Sequence, residues 1–221
     1  MIKHRVPKLS SPPVIDGKWD KAPWNAIAPL NVDQVFGKKP PEHHPAVQAR
    51  IAYDFEAVYV TFRVEDRYVR AVAANHQGDV WRDSCAEFFF VPGTDISKGY
   101  FNLEMNCGGT MLFHFQPVPK QNVVSVRPED VDRVTVAHSM PRIVQPEMAN
   151  PVTWTLEYRL PVNILEKYSP VAQPAPGVTW RANFFKCADD SSHPHWLTWS
   201  PVDPSPLGFH RPDRFGELAF A

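Results

Sequence analysis

VQARIAYDFEAVYVTFRVE, residues 47–65, reads as two alternating runs joined by Asp54, Phe55 and Glu56. In the second run Val58, Val60, Phe62 and Val64 share a face if the backbone is extended. The pattern predicts a β-hairpin with a three-residue loop. Working outward, AEFFFV (86–91) is stopped by Pro92-Gly93, a turn signal. YFNLEMN (100–106) and TMLFHF (110–115) form a second hairpin through Cys107, Gly108 and Gly109. RVTVAHS (133–139), TWRANFFKCA (179–188) and FGELAF (215–220) add further strands. In TWTLEYRL (153–160), Trp154, Leu156, Tyr158 and Leu160 face one way, and Thr155, Glu157 and Arg159 the other. Helical periodicity hardly appears; PVNILEKY, with Pro161 near its first turn, predicts one short helix near 161–168.

Many short strands separated by turn signals predict an all-β fold, an antiparallel β-sandwich of jelly-roll-like type. There is no internal repeat, linker or shift of composition, so residues 1–221 are expected to form a single domain. The 24 prolines argue against long helices. A net charge of −1 with no dense basic run speaks against nucleic acid or an anionic membrane as partner. No window approaches the ~20 apolar residues of a membrane helix. The opening MIKHRVPKLSSPPVIDG has no apolar stretch suited to a signal peptide. The chain as given is expected to be cytoplasmic and monomeric, or secreted or periplasmic if a leader has been removed. Cys85, Cys107 and Cys187 form no CxxC pair and no even framework, so buried reduced thiols are expected.

The chemistry points to sugar. Tyr100, Asn102, Glu104 and Asn106 share one face of their strand, and Cys85, Glu87 and Phe89 share one face of theirs. If these strands pair, Glu87 joins the Asn102–Glu104–Asn106 row. Such a row can be merely the solvated face of a sheet. Asparagine is depleted in strands, however, and amides alternating with a carboxylate suit vicinal hydroxyls. Aromatic rings pack on the apolar face of a pyranose, and Trp81 and Trp199 lie in loop-like contexts. Two alternatives remain at this point. A glycan-active enzyme could use Glu87 and Glu104 as acid and base. A haem-carrying redox sandwich could draw ligands from Met105, Met111, His114 and His138.

The ordered motifs PVIDGKWDKAPW, ARIAYDFEAVYVTFRVED, WRDSCAEFFF, YFNLEMNCGGT, WTLEYRLP, WRANFFKCAD, WLTWSP and FHRPDRFGELAF span essentially the whole chain. Together they resemble the family 9 carbohydrate-binding modules and their stand-alone bacterial relatives. The resemblance implies a non-catalytic β-sandwich that binds a mono- or oligosaccharide between two tryptophans, with structural calcium. It matches Trp81 to the first stacking tryptophan, Glu87 to the hydroxyl-binding glutamate, and Asn106 to the asparagine closing its strand. Trp199 is the better match to the second tryptophan and Trp196 its rival; Asn102 and Asn183 are further candidates. One departure stands out: where the family tends to carry an arginine two residues before the asparagine, this chain has Glu104, which reverses a charge in the pocket.

Overall fold

The computed structural model describes residues 1–221 as two β-sheets packed face to face. The opening hairpin forms as its alternation predicts: strands Ala46–Tyr53 and Ala57–Asp66 pair antiparallel, Tyr53 opposite Val58. Asp54 closes the turn by accepting the Glu56 and Ala57 N–H groups on one oxygen and the Tyr59 hydroxyl on the other. Val152–Pro161 pairs along the whole of Ala57–Asp66, and Thr135–His138 and Leu30–Asn31 complete a five-stranded sheet.

The second sheet has nine strands. Its main path runs Lys3–Val6, Gly216–Phe220, Thr179–Cys187, Cys85–Val91, Tyr100–Asn106, Met111–Gln116, Val124–Ser125. Trp196–Thr198 pairs with the lower part of Thr179–Cys187, and Gln34–Val35 with Trp196–Thr198. One pairing departs from the antiparallel expectation: Lys3–Val6 lies parallel to Gly216–Phe220, Lys3 opposite Glu217. A ribbon of Val69–Ala71 and Val144–Met148 lies apart from both sheets.

Alternation becomes burial. Val58, Val60, Phe62, Val64, Trp154, Leu156, Tyr158 and Leu160 from the smaller sheet share one core with Phe88, Phe90, Phe101, Leu103, Phe113 and Phe184 from the larger. Phe62 meets Phe184 across the layers at 6.0 Å between ring centroids. Each such side chain stabilises the fold by roughly 1.5–3 kcal/mol relative to exposure. At one end the layers are also tied by charge: Lys186 of the larger sheet lies 3.6 Å from Asp66 of the smaller, both wholly buried. Burial works to raise the Asp66 carboxyl, but Lys186 and His43 outweigh it and hold the group below the ordinary carboxylate range.

The expected helix shrinks to a single turn, Val162–Leu165, and a second turn, Pro128–Val131, forms where the sequence shows only a polar loop. The outer face of the smaller sheet explains the opening motif. Glu157, buried, accepts the N–H groups of Asp16 and Gly17 at 3.0 and 2.7 Å, the Trp24 indole N–H at 2.8 Å and the Lys21 ammonium at 2.8 Å. Gly17 sits at φ +75° against the Ala137 and His138 backbone, a conformation that disfavours any side chain. The PVIDGKWDKAPW segment is therefore a strap pinned to one carboxylate.

Candidate functional site

The outer face of the nine-stranded sheet is polar where it meets a cavity of about 620 Å³. Strand pairing builds the floor. Glu87 lies directly opposite Glu104, Phe89 opposite Asn102, and Asn102 opposite His114. Glu104 is flanked on its other side by Leu112. The expectation that Glu87 and the Asn102–Glu104 row share one side of one sheet therefore holds in the register. That side is not solvated: Glu87, Asn102 and Glu104 are each at most 5% exposed. Loops cover the floor around the cavity, and buried polar groups must then find partners.

Most do. Asn102 donates to Glu104 at 2.8 Å and accepts from Gln116 at 2.8 Å. Gln116 accepts from the Tyr100 hydroxyl and from the Lys120 N–H. His210, from the long C-terminal loop, lies 2.7 Å through Nδ1 from the Tyr100 hydroxyl and 3.1 Å from the Gln116 amide. Burial pushes His210 down to about 3, with Lys120 and His114 adding to the effect, so the ring is neutral. Phe209, next to it, stacks on Phe185 at 4.2 Å and meets Phe36 edge-on. Glu87 differs from its neighbours. One oxygen accepts from the Cys187 thiol at 2.9 Å, and the other has no partner.

The walls carry two half-buried tryptophans, Trp81 and Trp196. Trp81 sits in the one-turn 3-10 helix Val80–Arg82, with the Arg82 guanidinium 4.8 Å from its ring centroid. Asp189 bridges the two: its N–H donates to the Trp81 carbonyl, and its carboxylate accepts the Trp196 indole N–H at 2.6 Å. Asp189 thus holds the Trp196 ring by its edge and the Trp81 residue by its backbone. Asp79, Glu87, Glu104 and Asp189 line the cavity against one ammonium, Lys120. Burial raises the Glu87 carboxyl well above the ordinary range, with Cys187 and Glu104 adding to it. Burial also lifts Glu104 to about 7 against the opposing Asn102 bond, and it raises Asp189.

The sequence profile of carbohydrate-binding family 9 matches residues 19–220. The chain belongs to this family. Its fold is that of a Bacteroides uniformis protein provisionally assigned to carbohydrate binding, at 30% identity and a TM-score of 0.85, over 99% of each chain. Two structures of a family 9 module from Caldicellulosiruptor kristjanssonii share the fold. One, in complex with glucose, is 16% identical, with a TM-score of 0.64, covering 98% of this chain and 95% of that one. The other, in complex with cellotriose, is 14% identical, with a TM-score of 0.66, covering 99% and 93%. No curated protein matches the sequence.

Within this family 9 chain the candidate residues separate into two groups. Trp81, Glu87, Asn102, Glu104 and Trp196 line the cavity. Trp199, Asn106 and Asn183 do not. Trp199 is 4% exposed in the main core, edge-on to Phe184, with only its rim at a second depression beside the N-terminus. Asn106 is consumed by the Thr110 N–H, the Ala73 carbonyl and Asp83, and Asn183 by the Ser200 and Phe184 backbone. His114, which the sequence reading offers only as a haem ligand, joins Gln116, Lys120, Phe209 and His210, which it does not place in a site. The first two carried a signal, since Leu112, His114 and Gln116 alternate on the strand beside Glu104; the others come from loops.

The haem ligands are split by the sheet: Met105 and Met111 lie in the sandwich core, whereas His114 lines the cavity on the opposite face. Calcium, implied by the family likeness, is a hard cation that takes oxygen donors. Asp16, Asp66, Asp83 and Asp130 are already engaged by Lys21, Lys186, Arg70 and Lys167. The close group of three ligating side chains includes two thiols, which do not suit a hard cation.

Proposed function

We propose that this cavity binds a mono- or oligosaccharide without catalysing its cleavage. The observation that carries the reading is the pairing of two half-buried indoles, bridged by Asp189, with a buried floor of carboxylates and amides. The rings supply apolar surface for a pyranose face, and Glu104, Asn102 and the bare oxygen of Glu87 supply hydroxyl partners. Family membership and the glucose and cellotriose complexes of the Caldicellulosiruptor kristjanssonii module support it.

Calorimetric titration with glucose, cellotriose and a panel of other mono- and oligosaccharides tests the proposal. Saturable binding that Trp81→Ala weakens is the expected result. Lack of heat at millimolar sugar, or affinity unchanged in Trp81→Ala, would sink it. Turnover of chromogenic glycosides abolished by Glu87→Gln would replace it with an enzyme.

A further inference from the structure

Beside Glu87 the floor of the cavity contains two thiols that sugar recognition does not require. Cys85 and Cys187 stand directly opposite each other on neighbouring antiparallel strands, and Glu87 lies two residues along from Cys85 on the same face. The two sulfurs and a Glu87 oxygen all lie within 4.8 Å of one another, and all three residues are buried. The Cys187 thiol is 2.9 Å from Glu87 Oε1. Two features of the cluster are unresolved by the protein itself. Glu87 Oε2 has no hydrogen-bond partner although the residue is 2% exposed. Apart from the facing Cys187 thiol, the Cys85 sulfur has only a 3.9 Å approach to the carbonyl of the next residue.

We propose that Cys85, Cys187 and Glu87 form a three-ligand site for a borderline-soft divalent cation of the zinc class. Tetrahedral zinc with Zn–S of about 2.3 Å and Zn–O of about 2.0 Å places its ligand atoms roughly 3.3–3.8 Å apart. The triangle found here needs side-chain rotation on the order of 1 Å and no movement of strands. Two sulfur donors and one carboxylate select zinc over calcium or magnesium. On binding, each thiol and the Glu87 carboxyl release their protons to solvent, and the carboxylate so formed gives the metal one oxygen. Two thiolates and one carboxylate then leave the divalent centre with one net negative charge. Glu87 and Cys187 line the cavity whereas Cys85 does not, so the fourth position opens to the cavity. It takes a water or a ligand oxygen there, the arrangement of open rather than purely structural zinc sites. The sequence conceals the site because its cysteines are far apart and become neighbours only through strand register. The inference does not rest on the carbohydrate reading, since metal binding is measured without sugar.

The test is titration of the reduced, chelator-treated protein with Zn²⁺ alone, and with Co²⁺ as its spectroscopic substitute. The expected result is one equivalent bound, with a sulfur-to-cobalt charge-transfer band that Zn²⁺ abolishes. Cys85→Ala and Cys187→Ala should each lose that band and weaken Zn²⁺ binding at least 100-fold. Circular dichroism of both variants checks that they are folded. Should either unfold, Glu87→Gln, which keeps side-chain volume and both thiols, is expected to weaken binding at least tenfold. Metal bound without the sulfur band, as a surface histidine pair would bind it, overturns the proposal. So does the absence of stoichiometric binding in the wild type, or a Cys85–Cys187 disulfide that persists in reductant. Sugar titrations of the metal-free protein are run separately, so failure of either reading leaves the other measurable.

Discussion

Trp196 and Trp199 make the sharpest experiment, because the sequence places them three residues apart in one segment and the fold gives them opposite tasks. Trp199 is 4% exposed, packs edge-on to Phe184 at 5.9 Å, and lies against Gly216, where an added Cβ would sit 2.7 Å from the indole. Truncating it empties a filled space. Trp199→Ala should cost about 3–5 kcal/mol. That is about a fifth or more of a native stability of roughly 5–15 kcal/mol. Trp196 is half-buried at the cavity wall, its indole N–H held by Asp189. Trp196→Ala should change stability by no more than about 1 kcal/mol. Its loss of ring stacking should cost about 1–3 kcal/mol of sugar affinity, a factor of roughly 5–150. Urea unfolding gives the first quantity and calorimetry with the tightest sugar from the panel gives the second. The reverse pattern, in which Trp199→Ala is stable but does not bind and Trp196→Ala binds normally, would refute the assignment of the wall.

Glu157→Gln should destabilise the protein by about 3 kcal/mol, because it replaces an acceptor of four donors by a group that itself donates. Faster hydrogen exchange confined to residues 14–27 is the accompanying sign, and a loss below about 1 kcal/mol would show that the strap is not pinned there. His210 makes stability depend on pH. Its folded value of about 3 lies below the ordinary 6.5, so its contribution is present above 6.5 and is lost as pH falls toward 3. His210→Gln should remove up to about 1.4 kcal/mol per pH unit from the slope of unfolding free energy in that window. Superimposable slopes for variant and wild type would contradict a buried neutral ring.

The sandwich was legible because its main strands state their faces twice, once as alternation and once as turn residues. Val58 to Val64 and Trp154 to Leu160 needed no tertiary knowledge to be placed on a core. Parity also put Glu87, Asn102, Glu104 and Asn106 on one common side of the sheet. It could not tell which of them meet a cavity. Asn106, at the end of its strand, is captured by Asp83 from a covering loop, and Asn183 by the returning Ser200 backbone. For the tryptophan pair the limit is similar. A spacing of three on an extended chain sends one ring each way, and only the pairing of Trp196 with Cys187 decides which. Loop-borne His210 and Phe209 carry no periodicity at all, and their place depends on how a long proline-rich segment folds back. The Cys85–Cys187 neighbourhood was hidden for the same reason: it exists in the register and nowhere in the spacing.

The parallel edge strand Lys3–Val6 has a bearing on the order in which the molecule is assembled. Its only ladder partner is Gly216–Phe220, from the opposite end of the chain, and the strap that follows it is held by Glu157. Contacts so distant along the sequence cannot reward loop closure until nearly all of the polypeptide is available. On a ribosome emitting residues in order, Lys3–Val6 thus emerges long before the strand that immobilises it. Until Gly216–Phe220 arrives, Thr179–Ala182 is an unpaired sheet edge beside the buried Trp180, and that interval is when this protein is most exposed to edge-to-edge association.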